Sequence, residues 1–304
     1  MRVLITGSEG FLGSSIFFYL SQKEGFEVFT LDLIPPLHTE SESHFQVDCA
    51  AIGDIVSKLK LDLIINASGS ANVQASFKDP ELDKKLNFEV VQTLLDAIKM
   101  SGEHTKFLNF SSAAVYGSPK KLPISEKDDV LSEPISPYGK HKKMSEELMK
   151  DYFLTHQVKS HSLRVFSCYG PGQQKLLFWD IYKKLNGSDE NFIKLFGTGE
   201  ESRDYIFIDD LCQAISCIIE KAPFDGSSIN VAIGKDVAIR YAAEKALELI
   251  RPEFEILFNG ENRKGDPKNW RANIGKLQSF GFMPHVSFEE GIEKYYKWVL
   301  SLEG

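Results

Sequence analysis

Basic charge is in short supply: 35 Lys and Arg stand against 43 Asp and Glu, a formal charge of −8 over 304 residues. With no basic excess to displace counterions from phosphate, the composition argues against a general nucleic-acid binder or a protein held on an anionic membrane. A single basic pocket for a small anion remains compatible with it. Long apolar runs are missing too, since no stretch of about 18 apolar residues occurs. Met1 leads into a strand pattern, not into the charged start and apolar core of an export signal. These absences predict a cytosolic chain with no membrane span. Cysteine is scarce. Cys49, Cys168, Cys212 and Cys217 lie in apolar stretches and form no C-x-x-C pair, which predicts buried reduced thiols with no catalytic role, and no metal site. There is no internal repeat and no low-complexity segment.

What is present is organised around the first thirteen residues. Val3, Leu4 and Ile5 form a short apolar run of the kind a buried parallel strand needs, and Thr6-Gly7-Ser8-Glu9-Gly10 follows with turn chemistry. The apolar period then becomes helical through Phe11, Leu12, Ile16 and Leu20. Gly7, Gly10, Phe11, Leu12 and Gly13 therefore lie between a strand and a helix N-terminus, where unpaired N–H groups and the helix dipole favour a pyrophosphate. The spacing is G-x-x-G-x-x-G, not the general G-x-G-x-x-G fingerprint. A strand over residues 27–32 ends in Asp32, about twenty residues further on. A carboxylate there accepts the ribose hydroxyls of adenosine and repels a 2′-phosphate, and no Arg or Lys follows in Leu33-Ile34-Pro35-Pro36-Leu37, so NAD is expected over NADP. The plainer alternative is a turn residue at a strand end.

The β-α-β alternation continues. Strands are expected over 45–48, 61–66 and 105–111, with helices over about 52–59 and 81–100. Asp48 is placed to reach the adenine edge, and Asn66-Ala67-Ser68-Gly69 ends a strand on the face where open parallel sheets bind ligands. The alternation weakens after residue 166. The expected architecture is an α/β doubly wound parallel sheet of the Rossmann kind over residues 1–166, with 203–228 returning to it. A smaller, interleaved substrate domain is expected over 167–202 and 229–304.

Tyr138 and Lys142 stand four apart on a predicted helix that Ser136 caps and Pro137 starts. Spacing alone decides nothing, because Tyr19/Lys23, Tyr116/Lys120 and Tyr241/Lys245 share it. Tyr138 also has context: the preceding strand ends in Ser111-Ser112, whose hydroxyls emerge at the carboxyl edge of the sheet. A phenol near its free pKa of about 10 is a poor base. A nearby ammonium, with the positive ring of NAD, favours the phenolate, so that Tyr138 can take a proton from a substrate hydroxyl as hydride leaves the same carbon. Ser112 would hold that oxygen.

Taken together, Thr6-Gly7-x-x-Gly10-x-x-Gly13, Ser111-Ser112-Ala113-Ala114-Val115-Tyr116-Gly117, Ser136-Pro137-Tyr138-Gly139 with Lys142, Tyr169-Gly170-Pro171-Gly172, and Arg203-Asp204-Tyr205 with Asp209-Asp210 span nearly the whole chain. The chain resembles the extended short-chain dehydrogenase/reductases, specifically the NAD-dependent nucleotide-sugar epimerases and dehydratases. The resemblance implies that Ser112, Tyr138 and Lys142 are catalytic and that Asn87 supports the cofactor-domain helix. It also implies that Arg203 and Arg263 meet the diphosphate of a nucleotide-diphospho-sugar, and that the Tyr138 helix helps form a homodimer. Two departures narrow it. Dehydratases carry an Asp-Glu pair where this chain has Ala113-Ala114, which disfavours dehydration. Many epimerases carry Asn where Ser167 stands, and the loop from Gln173 to Asp180 is unusual; with the small Ser167 it leaves room for a ketosugar to turn. The expected activity is epimerisation through a transient ketone. A 4-ketosugar reductase and a non-catalytic dinucleotide sensor are the alternatives.

Overall fold

Val3, Leu4 and Ile5 are fully buried, as the parallel-sheet reading requires, because helices cover both faces of such a sheet. The computed structural model describes all residues except 38–42, 49–50, 103, 132, 188–189, 262–264, 266 and 303–304, and only the backbone of 129–131. Cys49 and Arg263 thus lie outside the described residues. In chain order, β1 (Arg2–Thr6) leads to α1 (Phe11–Ser21), β2 (Glu27–Asp32), β3 (His44–Gln46), α2 (Ile52–Leu59) and β4 (Leu63–Asn66). Next come α3 (Val73–Lys78), α4 (Pro80–Lys84), a π-helical turn (Lys85–Glu89), α5 (Val90–Ser101), β5 (Lys106–Ser112), α6 (Pro137–His156) and β6 (Ser160–Val165). The rest comprises β7 (Ser167–Tyr169), α7 (Leu176–Asn186), β8 (Phe192–Leu195), β9 (Ser202–Phe207), α8 (Ile208–Lys221), β10 (Ser228–Val231), β11 (Asp236–Ala238), α9 (Ile239–Ile250), β12 (Glu255–Phe258), α10 (Gly275–Ser279) and α11 (Phe288–Ser301). No described helix is long and apolar enough to cross a membrane.

The chain divides into two units, Met1–Ser118 with Glu126–Val165 and Ile218–Asn230, and Pro119–Ser125 with Phe166–Cys217 and Val231–Gly304. The expected return over 203–228 thus splits at residue 217. The first unit holds a seven-stranded sheet in the order β10-β6-β5-β4-β1-β2-β3, the doubly wound arrangement read from the sequence. From β1 the chain steps to β2 on one side and later to β4 on the other, so the strand ends diverge beside β1 and leave the crevice where such sheets take ligands. On one face Leu4, Phe29, Ile64 and Phe107 pack with Ile52 and Val56 of α2 and Leu94, Leu95 and Ile98 of α5.

The helix expected over 81–100 runs continuously through α4, the π turn and α5, and the π turn at Lys85–Glu89 is the feature the sequence did not show. A π turn accommodates an extra residue, and here Asn87 is turned inward and buried. The carbonyl of Asn87 accepts a hydrogen bond from the Ser145 hydroxyl of α6 at 2.7 Å.

In the second unit, β9 pairs with β7 in parallel and with β11 antiparallel, in a sheet of its own. Its core is aromatic, with Tyr169, Phe178, Tyr205 and Phe288 in mutual ring contact. Asp204 is buried on β9, and its carboxylate accepts the N–H groups of Ile233, Gly234 and Ala272, each at 3.0 Å. Burial pushes this carboxyl up to about 7 against those three donors.

Candidate active site

The loop after β1 is shaped by its glycines. Gly7 has φ +69°, and a Cβ on Gly13 would lie 2.1 Å from the Gly7 carbonyl oxygen, so only glycine lets α1 start this close to the loop. Asp32, at the end of β2, is part of the same construction. Its Oδ2 accepts the Glu9 N–H at 2.9 Å and its Oδ1 accepts the Leu33 N–H at 2.7 Å, which holds the carboxylate against the glycine loop. Gly10, Phe11 and Leu12 open α1 beside it. Asp48 is exposed after β3.

A row of polar side chains crosses the sheet just below this loop, at register positions Thr6, Asn66 and Asn109. Asn66 Oδ1 accepts from the Thr6 hydroxyl at 2.7 Å and from the N–H and hydroxyl of Ser68, and Asn66 Nδ2 donates to Asn109 Oδ1 at 2.8 Å. Buried hydrogen-bonded amides of this kind fix strand register in a sheet that is otherwise apolar. They also fix the course of Ala67-Ser68, whose backbone a Cβ on Gly7 would strike.

At the end of β5, Ser112 caps a short 3-10 turn, Ala113–Tyr116, by accepting the Ala114 N–H at 3.2 Å. Helix α6 begins as the sequence suggests, with the Ser136 hydroxyl accepting the Gly139 N–H at 3.1 Å and Pro137 in the first turn. Tyr138 and Lys142 are only 6% and 5% exposed, with the lysine Nζ 5.9 Å from the ring centre. Tyr19/Lys23 and Tyr241/Lys245 make the same ring contact, but Lys23 lies beyond the end of α1, Tyr241 is exposed, and neither Tyr19, Lys23 nor Lys245 is buried. Burial separates the candidate pair from its look-alikes. Lys142 Nζ donates to the Phe110 carbonyl at 2.7 Å, which points the ammonium at β5 and its Ser111-Ser112 end. Burial pulls Lys142 down to about 8, opposed by the carboxylates of Asp83 and Glu146. Burial also pushes the Tyr138 phenol up to about 12; a hydrogen bond with Ser112 works against this and the Asp83 charge adds to it. Desolvation is the largest influence on the phenol.

Two groups beneath the site escaped the sequence reading. Arg164 of β6 is buried in a bidentate pair with Glu146 of α6, at 3.0 and 3.1 Å from Nε and 2.5 Å from Nη2, and also donates to the Tyr116 hydroxyl at 2.9 Å. Asp83 of α4 bonds His141 Nδ1 at 2.6 Å and accepts from Asn87 Nδ2 at 3.0 Å. Asp83 and His141 are 58 positions apart and Glu146 and Arg164 are 18 apart, and a single Arg, Glu, His or Asp carries no spacing signal. In the second unit Ser167 begins β7. Arg203 lies over the Trp270 ring at 5.4 Å and donates to the carbonyls of Ser202 at 2.8 Å and Lys268 at 3.2 Å.

A model of the NAD dependent epimerase/dehydratase family matches residues 3–232. The chain belongs to this family. It is therefore an NAD-dependent enzyme, as the motifs led one to expect. Among its relatives, the low-salt glycan biosynthesis protein Agl12 of Haloferax volcanii is 28% identical over 96% of this chain and 96% of its own length. The UDP-glucose 4-epimerase of Mycolicibacterium smegmatis is 27% identical over 97% of each. Among solved structures, the UDP-glucose 4-epimerase of Thermotoga maritima, crystallised with UDP-glucose, superposes with a TM-score of 0.89 at 25% identity over the full length of both chains. The UDP-glucuronic acid 4-epimerase of Bacillus cereus, in complex with UDP-glucuronic acid and NAD, superposes with a TM-score of 0.88 at 25% identity over 99% of this chain and 100% of that one.

Proposed function

We propose that the protein is a cytosolic, NAD-dependent 4-epimerase of a UDP-sugar that works through a transient 4-keto intermediate. The observation that carries this reading is the buried Tyr138–Lys142 pair with Ser112 at the end of β5, followed by the buried Ala113 and Ala114 where a dehydratase would need carboxyl groups. The relatives that act on UDP-glucose and UDP-glucuronic acid support the substrate class. The residues fit the dinucleotide: the glycine loop leaves the backbone bare at the helix N-terminus, and Asp32 offers a carboxylate beside it.

NAD held by the glycine loop and Asp32 would supply a reversible hydride acceptor and a positive charge that, with Lys142, would favour the phenolate. Ser112 donates to the substrate oxygen and holds it in line. Tyr138 takes the proton from that oxygen as the carbonyl forms and returns it when the carbonyl is reduced. Lys142 keeps a positive charge against the phenolate throughout. Arg203 is assigned to the diphosphate on its charge and its fixed planar fork, and the expectation for Arg263 stays beside it. The homodimer belongs to the same proposal, since α5 and α6 carry the exposed apolar side chains Met100 and Leu154; a monomer in sedimentation at working concentration would remove it.

Asp32→Ala is expected to weaken NAD binding about tenfold or more, because a charged acceptor is lost, and to abolish the preference over NADP. Titration of both cofactors checks this, and an unchanged preference rules the assignment out. Epimerase and reductase are separated by a UDP-sugar deuterated at carbon 4. Inverted product that keeps the deuterium, with no net change in NADH, supports epimerisation. Stoichiometric NADH oxidation on a 4-ketosugar, with no isomer formed from any hydroxyl sugar, moves the assignment to the reductase.

A further inference from the structure

Asp83 is a carboxylate with 4% of its surface exposed, on a five-residue helix at the flank of the Tyr138–Lys142 pair. A charge so far out of water needs donors around it. Both oxygens have them: Oδ1 accepts from Asn87 Nδ2 at 3.0 Å, and Oδ2 meets His141 Nδ1 at 2.6 Å. Asn87 is turned inward by the π turn, and its own Oδ1 accepts the Ser70 N–H at 3.3 Å, so the loop after β4 is tied to the same carboxylate. His141 directly precedes Lys142 on α6, and its side chain is 12% exposed against 4% for Asp83, so the pair has a buried anionic end and a wetter imidazole end.

The charged groups acting on Lys142 are Asp83 from α4 and Glu146 from α6, with Arg164 of β6 paired to Glu146; the Tyr138 ring centre lies 5.9 Å from the ammonium, and His141, the preceding residue on α6, bonds Asp83. The negative charge of Glu146 is met by the bidentate Arg164. Asp83 has no such guanidinium; its partners are an amide and an imidazole. We infer that Asp83, buried and clamped by Asn87 and by His141 on the turn of α6 that carries Tyr138 and Lys142, is a positioning residue that holds a fixed negative charge against that turn. The electrostatics of both groups agree with this, since the Asp83 charge raises Lys142 and Tyr138 alike. The carboxylate thus favours the charged lysine and, until positive charge arrives with the cofactor, the neutral phenol. This rests on the roles given above to Tyr138 and Lys142.

The test uses the full chain without cofactor and reads the Lys142 ammonium by NMR titration in the wild type, Asp83→Asn, Asp83→Glu and His141→Gln; pH profiles of UDP-glucose turnover follow. Asp83→Asn keeps the shape and removes the charge, so Lys142 should lose its proton about one pH unit lower, and the alkaline limb of kcat should move down with it. Asp83→Glu should restore the limb, and His141→Gln, which keeps the carboxylate, should leave it within a few tenths of a pH unit. If Asp83→Asn does not fold, Asp83→Ser removes the same charge with a smaller side chain and carries the same expectation. An unmoved Lys142 titration in the neutral variant overturns the inference, and so does a kcat reduced by one factor at every pH, which is the mark of a merely structural role. Absence of epimerisation on every UDP-sugar would defeat the functional reading and leave the Lys142 titration to decide the electrostatic claim.

Discussion

Tyr138→Phe is expected to lower kcat about 1,000-fold, within the range a positioned proton acceptor supplies, while NAD affinity stays within a few-fold. The substitution removes one hydroxyl from a ring that stays buried between α6 and its neighbours, so the fold and the glycine loop are untouched. What disappears is the proton acceptor at the reacting oxygen. Burial holds the phenol up at about 12, so under the proposed mechanism it would need the positive charge of bound NAD and of Lys142 to act as a base. Steady-state kinetics with UDP-glucose and a separate NAD titration check the prediction. A variant that keeps a tenth or more of wild-type turnover would show that another group moves the proton, and the Tyr-based mechanism would fall.

The parts of this site that were legible in the sequence are those in which neighbouring residues share one local structure. Gly7, Gly10 and Gly13 reveal themselves because a strand, a tight loop and a helix start must follow one another within thirteen residues. Ser136, Pro137, Tyr138 and Lys142 do so because a cap and a helical face have fixed spacings. The fold class followed from the same local periodicity. The long helix was legible but its π turn was not, because residues 81–100 keep a helical apolar period straight through it, and the one inserted residue shows only when Asn87 turns inward. Asp83 and His141 are 58 positions apart, and Glu146 and Arg164 meet only after β6 pairs with β5. Such pairs are made by packing. For β9, an apolar strand followed by a helix reads the same whether it joins the large sheet or makes a small one with β7 and β11.

Lys142→Met should uncouple stability from activity. In the wild type, burial lowers this lysine from 10.5 to about 8. Below pH 8 both folded and unfolded chains carry the proton, and the folded one bears the whole cost of a desolvated ammonium, about 3 kcal/mol by the size of the shift. Between pH 8 and 10.5 the unfolded chain holds the proton that the folded chain has released, so wild-type stability climbs with pH across that window and levels off above it. Methionine, similar in length and uncharged, removes the climb. The Phe110 carbonyl loses its donor in exchange, a loss of about 1–3 kcal/mol, so near pH 7 the variant should melt at or slightly above the wild-type temperature. Turnover should nevertheless fall about 100-fold or more, since the phenolate loses its nearest cation, and NAD affinity should fall with it. Chemical denaturation at pH 7, 8, 9 and 10 reads the difference between the two chains, which cancels every other titrating group. A difference that is the same at all four pH values would mean that Lys142 is not paying a burial penalty, and the electrostatic account of the pair would have to be abandoned even if turnover collapsed.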